Sequence, residues 1–306
     1  MRVVYLGTPE FAVAPLKKLL EIDKIEIVGV VTNKDKKVGR KQILTSPPVK
    51  QLAMEKGLHV LQYDKIRVEG VEDLKALKPD LMITCAFGQI LSQEIIDIAK
   101  IGVFNIHASL LPKYRGASPI NEAILRGEKE TGVTIMRTDI GIDTGDIIYK
   151  TSTEIKEQET AGELSERLSV IGANAIEKVV LDLLDGKVEY VKQPENDFPY
   201  TRIIKKEDAK IDFNEKAEDV ANKVRAYNPA PVAYATLNGE PFKIYKAKVS
   251  DKTGDVGKVL ENEKKLIIGC KDKSVEFLVV QKCGGKPMNA VDFLRGNRLE
   301  LGKEFK

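Results

Sequence analysis

Short, continuous apolar runs alternate with amphipathic stretches over the first half of the chain. Residues 3–6, 25–32, 58–61, 81–85 and 103–106 are strand-like and rich in Val, Ile and Leu, while residues 48–56, 71–77 and 92–99 between them read as helices. Apolar runs that do not alternate with polar residues suit parallel strands covered on both faces. After the first run, Thr8 can cap a helix that has Pro9 at its first position and Glu10 in its first turn, with Leu16, Leu19 and Leu20 on one face. This rhythm predicts an α/β fold, a doubly wound, mainly parallel open sheet.

Farther on, strands at 133–137 and 146–151 flank a Gly-rich loop. Thr160 and Glu163 form a capping box, and Leu164, Leu168, Ile171, Ala175, Val179 and Leu183 keep one face of a long helix apolar until Gly186 stops it. Residues 189–206 are polar, hold two prolines and read as a linker. The remainder changes character. Two runs, 232–237 and 241–250, meet at Asn238-Gly239, a hairpin signal, and shorter strands follow at 257–260, 266–270 and 275–281 before a helix at 288–295. The expected organisation is a domain over 1–188, a linker over 189–206 and a small, mainly β barrel or sandwich over 207–306.

Composition supports a folded protein. Of 306 residues, 42% are hydrophobic and 31% charged, which excludes a chain disordered throughout. The greasiest stretch, 81–91, is interrupted by Thr84, Gly88 and Gln89 and falls short of the ~20 apolar residues a spanning helix needs. The N-terminal run is too short for a signal-peptide core, so a cytoplasmic protein without membrane contact is expected. Cys85, Cys270 and Cys283 are widely spaced, and His59 and His107 are isolated, so neither a disulfide framework nor a metal site is expected. The net charge of +3 is uneven. From residue 204 onward there are 21 Lys and Arg against 16 Asp and Glu, a weak pointer to a polyanion that ordinary surface lysine explains equally well.

Five segments carry candidate chemistry. Asn105 and His107 stand two apart at the end of a strand, so both point to one face, and ligands of open α/β sheets bind beyond such carboxyl ends. An amide beside an imidazole can hydrogen-bond a developing oxyanion and move a proton; the same pair can also merely satisfy loop backbone. The loop from Asp139 to Asp146 superficially resembles a calcium loop, but Lys150 stands at position twelve, where calcium needs Glu. Asp143 in that loop can instead orient a histidine, or be a solvated turn residue. Residues 33–48 form a long basic loop holding Lys34, Lys36, Lys37, Arg40 and Lys41, suited to phosphate backbone or to plain solvation. Ser109, Leu110, Leu111 and Pro112, with Phe87, Gly88 and Gln89 at another strand end, can wall a pocket for a flat ligand or form buried loop. Neither a P-loop nor a Gly-x-Gly-x-x-Gly fingerprint occurs, so nucleoside triphosphates and NAD are not signalled.

Taken together, these segments resemble the methionyl-tRNA formyltransferase family. The resemblance rests on Gly7-Thr8-Pro9-Glu10-Phe11-Ala12, on Asn105-Ile106-His107-Ala108-Ser109-Leu110-Leu111-Pro112, and on Tyr114-Arg115-Gly116-Ala117. It extends to Gly141-Ile142-Asp143-Thr144-Gly145-Asp146 and to the loop from Gly39-Arg40 to Ser46-Pro47-Pro48-Val49-Lys50, and covers almost the whole chain. After Arg40 the chain departs from the family's glycine- and lysine-rich pattern, reading Lys41-Gln42-Ile43-Leu44-Thr45.

The resemblance implies a formyltransferase-type Rossmann-like domain followed by an OB-like β-barrel. It implies transfer of a formyl group from 10-formyltetrahydrofolate to the α-amine of methionine on initiator tRNA, without a metal. Asn105, His107 and Asp143 would be catalytic. Ser109, Leu110, Leu111 and Pro112 would line the folate site, and Phe87, Gly88 and Gln89 would hold the pterin. Arg40 and Lys41 would reach the tRNA acceptor stem, with Lys205, Lys206 and Lys210 adding contacts at the entrance of the C-terminal domain. The expected state is a monomer. Three rival readings share part of the pattern: a formyltransferase acting on glycinamide ribonucleotide or an amino sugar nucleotide, a non-catalytic RNA-binding module, and a nicotinamide oxidoreductase.

Overall fold

The computed structural model describes residues 1–39, 41–195, 198–297 and 299–306. Contacts divide the chain into two units. The first is Met1–Pro119, Thr131–Thr153 and Ser165–Thr201; the second is Ile120–Glu130, Glu154–Leu164 and Arg202–Lys306.

The N-terminal apolar run forms β1 (Arg2–Gly7), followed by a 3-10 turn (Glu10–Ala12) and α1 (Val13–Leu19). The helix therefore begins later than the Thr8-Pro9 signal suggests. Thr8 does not cap it: its hydroxyl donates to the Phe87 carbonyl and accepts from the Asn33 amide. Next come β2 (Glu26–Thr32), β3 (Lys36–Val38), β4 (Ile43–Thr45), α2 (Pro48–Glu55), β5 (Val60–Gln62), α3 (Ile66–Glu69) and α4 (Val71–Leu77). They are followed by β6 (Leu81–Cys85), α5 (Gln93–Ile96), β7 (Gly102–His107), α6 (Pro119–Leu125), β8 (Glu130–Arg137), β9 (Ile147–Glu154) and α7 (Ala161–Leu184).

The main sheet has the order β5-β2-β1-β6-β7-β8-β9. β5, β2, β1, β6 and β7 pair in parallel, and β8 turns antiparallel against β7. Strand alternation splits the apolar runs between two cores. Val4, Leu6, Met82 and Val103 meet Ile66, Val71, Leu74 and Ile95 from α3, α4 and α5 on one face. Tyr5, Ile83 and Phe104 are buried on the other. There the Tyr5 hydroxyl donates to the Ala12 carbonyl at 2.7 Å, and Gly172 lets α7 lie against Ile106 and Val133. Burial on both faces accounts for the continuous apolar runs in the sequence.

The basic segment 33–48 is not an open loop throughout. β3 and β4 pair in it as a small antiparallel hairpin whose strand residues are all exposed. The Lys50 ammonium binds Asp35 at 2.8 Å beneath the hairpin, and this bond, with one from Gln62, holds the Asp35 carboxyl below the usual carboxylate range.

The second unit holds α8 (Ala217–Ala226), β10 (Ala233–Leu237), β11 (Glu240–Ser250), β12 (Val259–Glu261), β13 (Leu266–Gly269), β14 (Ser274–Gln281), β15 (Met288–Asn289) and α9 (Ala290–Gly296). The antiparallel order is β10-β11-β14-β13-β12, with β15 on β14. Asn238 and Gly239 both take positive φ, 54° and 83°, as the tight turn between β10 and β11 requires. The sheet curls because the C-terminal residues bridge its ends: Phe305 pairs with Leu237, and Glu304 with Lys258. Phe242, Phe277, Phe293 and Phe305 fill the curl, their rings meeting mostly edge to face.

At the start of α7 the reciprocal cap forms as the sequence suggests. The Thr160 amide donates to the Glu163 carboxylate at 2.9 Å, and the Glu163 amide donates back to the Thr160 hydroxyl at 3.3 Å. Thr160→Ala is expected to cost about 1 kcal/mol, read as a lower unfolding midpoint in calorimetry. The hydrogen bonds from Thr160 also lower the Glu163 pKa. A carboxylate depressed in the folded state stabilises above its ordinary range, so the cap is expected to weaken as pH falls through that lowered value.

Candidate active site

β7 delivers Asn105 and His107 to the carboxyl end of the sheet on one face, with Ile106 buried between them on the other. Asn105 lies opposite Thr84 of β6. The Thr84 hydroxyl donates to Asn105 Oδ1 at 2.9 Å, which fixes the amide's orientation and turns Nδ2 toward Asp143. One Nδ2 hydrogen goes to Asp143 Oδ1 at 3.2 Å. The other has no partner among the described residues and is free to donate.

Asp143 sits on the Gly-rich turn between β8 and β9 with φ +53°, a left-handed conformation rare for a non-glycine residue. A Cβ on Gly145 beside it would overlap the Arg137 carbonyl, so glycine is required there. Asp143 Oδ2 accepts from the Gly116 amide at 2.8 Å and lies 3.5 Å from His107 Nδ1. His107 is 5% exposed, and its Nε2 donates to the Tyr114 carbonyl at 3.0 Å. Both imidazole nitrogens thus face acceptors, and one carboxylate links the amide, the imidazole and a backbone N–H. The geometry suits holding and moving a proton beside a fixed hydrogen-bond donor, the arrangement acyl transfer needs.

The segment after β7 is fixed from below. Ser109 donates to the Lys113 carbonyl at 2.6 Å, and Thr134 donates to the Ser109 carbonyl at 2.7 Å while accepting from the Leu111 amide at 3.1 Å. Leu111 is buried against Met136 and Ile147, whereas Leu110 and Pro112 are only partly covered. At the end of β6, Ala86 and Gly88 both take positive φ. Phe87 is buried, with its carbonyl accepting from Asn33 Nδ2 at 2.9 Å, and Gly88 is exposed. Gln89 bonds the Ile66 amide and the Asn33 side chain, each at 2.8 Å. The main chain at Gly88 is therefore presented to solvent on a rigid frame, as backbone recognition of a flat heterocycle requires.

Some contributors lie beyond the sequence reading. Asn33 follows β2 just as Asn105 ends β7, so the strand-end rule could have found it. The Tyr114 carbonyl and Gln193, which bonds the carbonyls of Asp143 and Gly145, left no such signal. Gln193 belongs to the segment read as a linker. That segment is tied into the first unit where Val191 pairs with Ile147 and where Thr201 pairs with Gly116.

Among the basic candidates, Lys41 is exposed between β3 and β4, and Arg40 lies outside the described residues. Lys205, Lys206 and Lys210 are exposed in the second unit around the 3-10 turn Lys206–Ala209. Burial pushes the Cys85 thiol up to about 12, which removes it as a nucleophile. Among the described residues no group of three His, Cys, Asp or Glu side chains could hold a metal ion, and no helix is long and apolar enough to cross a membrane.

Residues 1–180 match the family model described as formyl transferase, and residues 203–298 match that of the formyl transferase C-terminal domain. The methionyl-tRNA formyltransferase of Bacillus subtilis is 43% identical over 306 residues, covering 98% of this chain and 96% of that protein. The methionyl-tRNA formyltransferase of Neisseria gonorrhoeae is 42% identical over 312 residues, covering 100% of both. Among solved structures, the N-formyltransferase of Helicobacter canadensis in complex with folinic acid and dTDP-3-aminofucose superposes with TM-score 0.70 at 24% identity, covering 92% of this chain and 98% of that one. HypX from Aquifex aeolicus in complex with tetrahydrofolic acid gives TM-score 0.63 at 18% identity, covering 96% of this chain and 47% of that one. At these identities the two structures establish a shared fold.

Proposed function

The chain belongs to the formyl transferase family, and from that premise we propose that it moves the formyl group of 10-formyltetrahydrofolate to the α-amine of methionine on initiator methionyl-tRNA. Relatives named for this reaction at 42–43% identity over essentially the whole length support the acceptor. The single observation that carries the chemistry is the Asp143 carboxylate, which holds the Asn105 amide and lies 3.5 Å from His107 at one strand end.

In this reading the amine attacks the formyl carbon. A C–N bond forms, and the carbonyl π pair moves to oxygen. The free Nδ2 hydrogen of Asn105 stabilises that oxyanion, and His107, oriented by Asp143, serves the proton transfers. The amine nitrogen loses a proton. The tetrahedral centre then collapses with cleavage of the bond to the folate nitrogen, which gains a proton. Leu110 and Pro112, carried by the buried Ser109 and Leu111, line the donor's site, and Phe87, Gly88 and Gln89 offer main chain to the pterin. Arg40 and Lys41 meet the acceptor stem, and Lys205, Lys206 and Lys210 extend the contact from an OB-like domain over 207–306. In this reading the protein acts in the cytoplasm, alongside the initiator tRNA.

The test incubates the protein with 10-formyltetrahydrofolate and methionine-charged initiator tRNA, then hydrolyses the ester and measures N-formylmethionine. Its formation is expected with charged tRNA, and its absence contradicts the reading. Arg40→Ala is expected to raise the KM for tRNA and to reduce the salt slope of tRNA binding by about one, with folate binding unchanged. An unaltered slope counts against the contact.

A further inference from the structure

We propose that Gln193 is a positioning residue for Asp143: its side-chain amide clamps the backbone of the Asp143 turn to the Arg115–Gly116 segment. The inference rests on Asp143 acting in formyl transfer as described above.

Every hydrogen-bonding site of the Gln193 amide is used. Nε2 donates to the Asp143 carbonyl at 2.9 Å and to the Gly145 carbonyl at 2.8 Å. Oε1 accepts from Arg115 Nε at 3.1 Å and from Arg115 Nη2 at 2.7 Å. An amide carries two donor hydrogens and two acceptor lone pairs, so all four are engaged. The next residue of that segment, Gly116, donates its amide to the Asp143 carboxylate. The contacts close a ring: Asp143 side chain to Gly116, Arg115 side chain to Gln193, and Gln193 back to the Asp143 main chain. Val191 fixes the clamp's register, exchanging both backbone hydrogen bonds with Ile147 at 2.8 and 2.9 Å.

The turn needs such a restraint. Asp143 is held at φ +53°, a left-handed conformation that costs aspartate less than most non-glycine residues but that its surroundings still help to hold. Without the two bonds from Gln193, the turn can relax and carry the carboxylate away from His107 and Asn105. Among the described residues no hydrogen bond joins Gln193 to Asn105 or His107, so its effect on them runs through Asp143.

Two variants separate its halves. Gln193→Ala removes all four bonds. Gln193→Glu keeps the acceptors for Arg115, loses both donors and sets a carboxylate against two carbonyls. Each is expected to lower kcat by about 10- to 100-fold, the cost of a small misplacement, with the KM of each substrate within about twofold of the parent. In an Asp143→Ala background, Gln193→Ala is expected to cost nothing further, because two residues acting through one carboxylate are not additive.

The chain has two histidines, so the ring-proton NMR signals of His107 and His59 are readily distinguished. At one fixed pH, the His107 signals are expected to move in the same direction in Gln193→Ala and Asp143→Ala while those of His59 stay. Unchanged kcat in both Gln193 variants, losses that multiply in the double variant, or parental His107 signals in Gln193→Ala would each overturn the clamp. If the alanine variant fails to fold, Gln193→Glu supplies both readouts. A parent protein that formylates while these results fail overturns the clamp alone. A parent that does not formylate overturns the functional reading, and the His107 signals, which need no substrate, then decide the clamp.

Discussion

Asn105→Ala is expected to lower kcat for formyl transfer by about 10²–10³, the usual cost of one oxyanion donor. The amide stands ready before substrate binds. Thr84 holds its oxygen at 2.9 Å and Asp143 takes one of its hydrogens, so the other is aimed without reorganisation at the moment of attack. The loss should appear in kcat, with folate and tRNA KM values little changed, because the bond strengthens only as charge develops. Asn105 is partly exposed, so truncation opens no deep cavity and the unfolding midpoint should move by only a few degrees. A variant with near-normal turnover would remove Asn105 from the reaction.

Asp143→Ala is expected to cost about 10²–10⁴ in kcat, the range for disabling a proton-transfer group. One carboxylate bonds Asn105 and the Gly116 amide and faces His107, so its removal disorients both neighbours at once. His107→Ala should fall in the same range. The combined Asp143→Ala and His107→Ala protein should be little worse than either single variant, because residues that work as a unit do not add. Steady-state kinetics on the four proteins checks this. Multiplying losses would mean that the two side chains act separately.

The sequence reading succeeded where a physical signal is local. Residues 81–85 are apolar without alternation because both faces of that strand are covered, and they form β6 as expected. Asn238-Gly239 supplies positive φ at two successive positions and forms the hairpin turn. The hairpin of β3 and β4 leaves no such signal, because all its strand residues are exposed and no face carries an apolar period. Thr8 had the chemistry of a cap, but long-range partners, Asn33 and Phe87, outcompete the first helical turn for its hydroxyl.

The candidate site divides the same way. The spacing of Asn105 and His107 on one strand and the Gly-rich turn of Asp143 mark them only as candidates, and it is the resemblance to the family that joins the three. Their convergence across 38 positions of sequence is visible only in the fold. Gln193 was invisible for the same reason, its bonds to the Asp143 turn and to Arg115 spanning 50 and 78 positions inside a polar stretch that resembles a linker.

The central claim is that this strand-end constellation formylates an aminoacylated tRNA rather than a small amine. The most direct measurement compares kcat/KM with 10-formyltetrahydrofolate for methionine-charged initiator tRNA, uncharged tRNA, glycinamide ribonucleotide and a dTDP-linked amino sugar. Turnover of the charged tRNA alone is the predicted result. Preferred turnover of either small acceptor would contradict it, leaving the formyl-transfer chemistry of Asn105, His107 and Asp143 in place and reducing the basic segments to solvated surface.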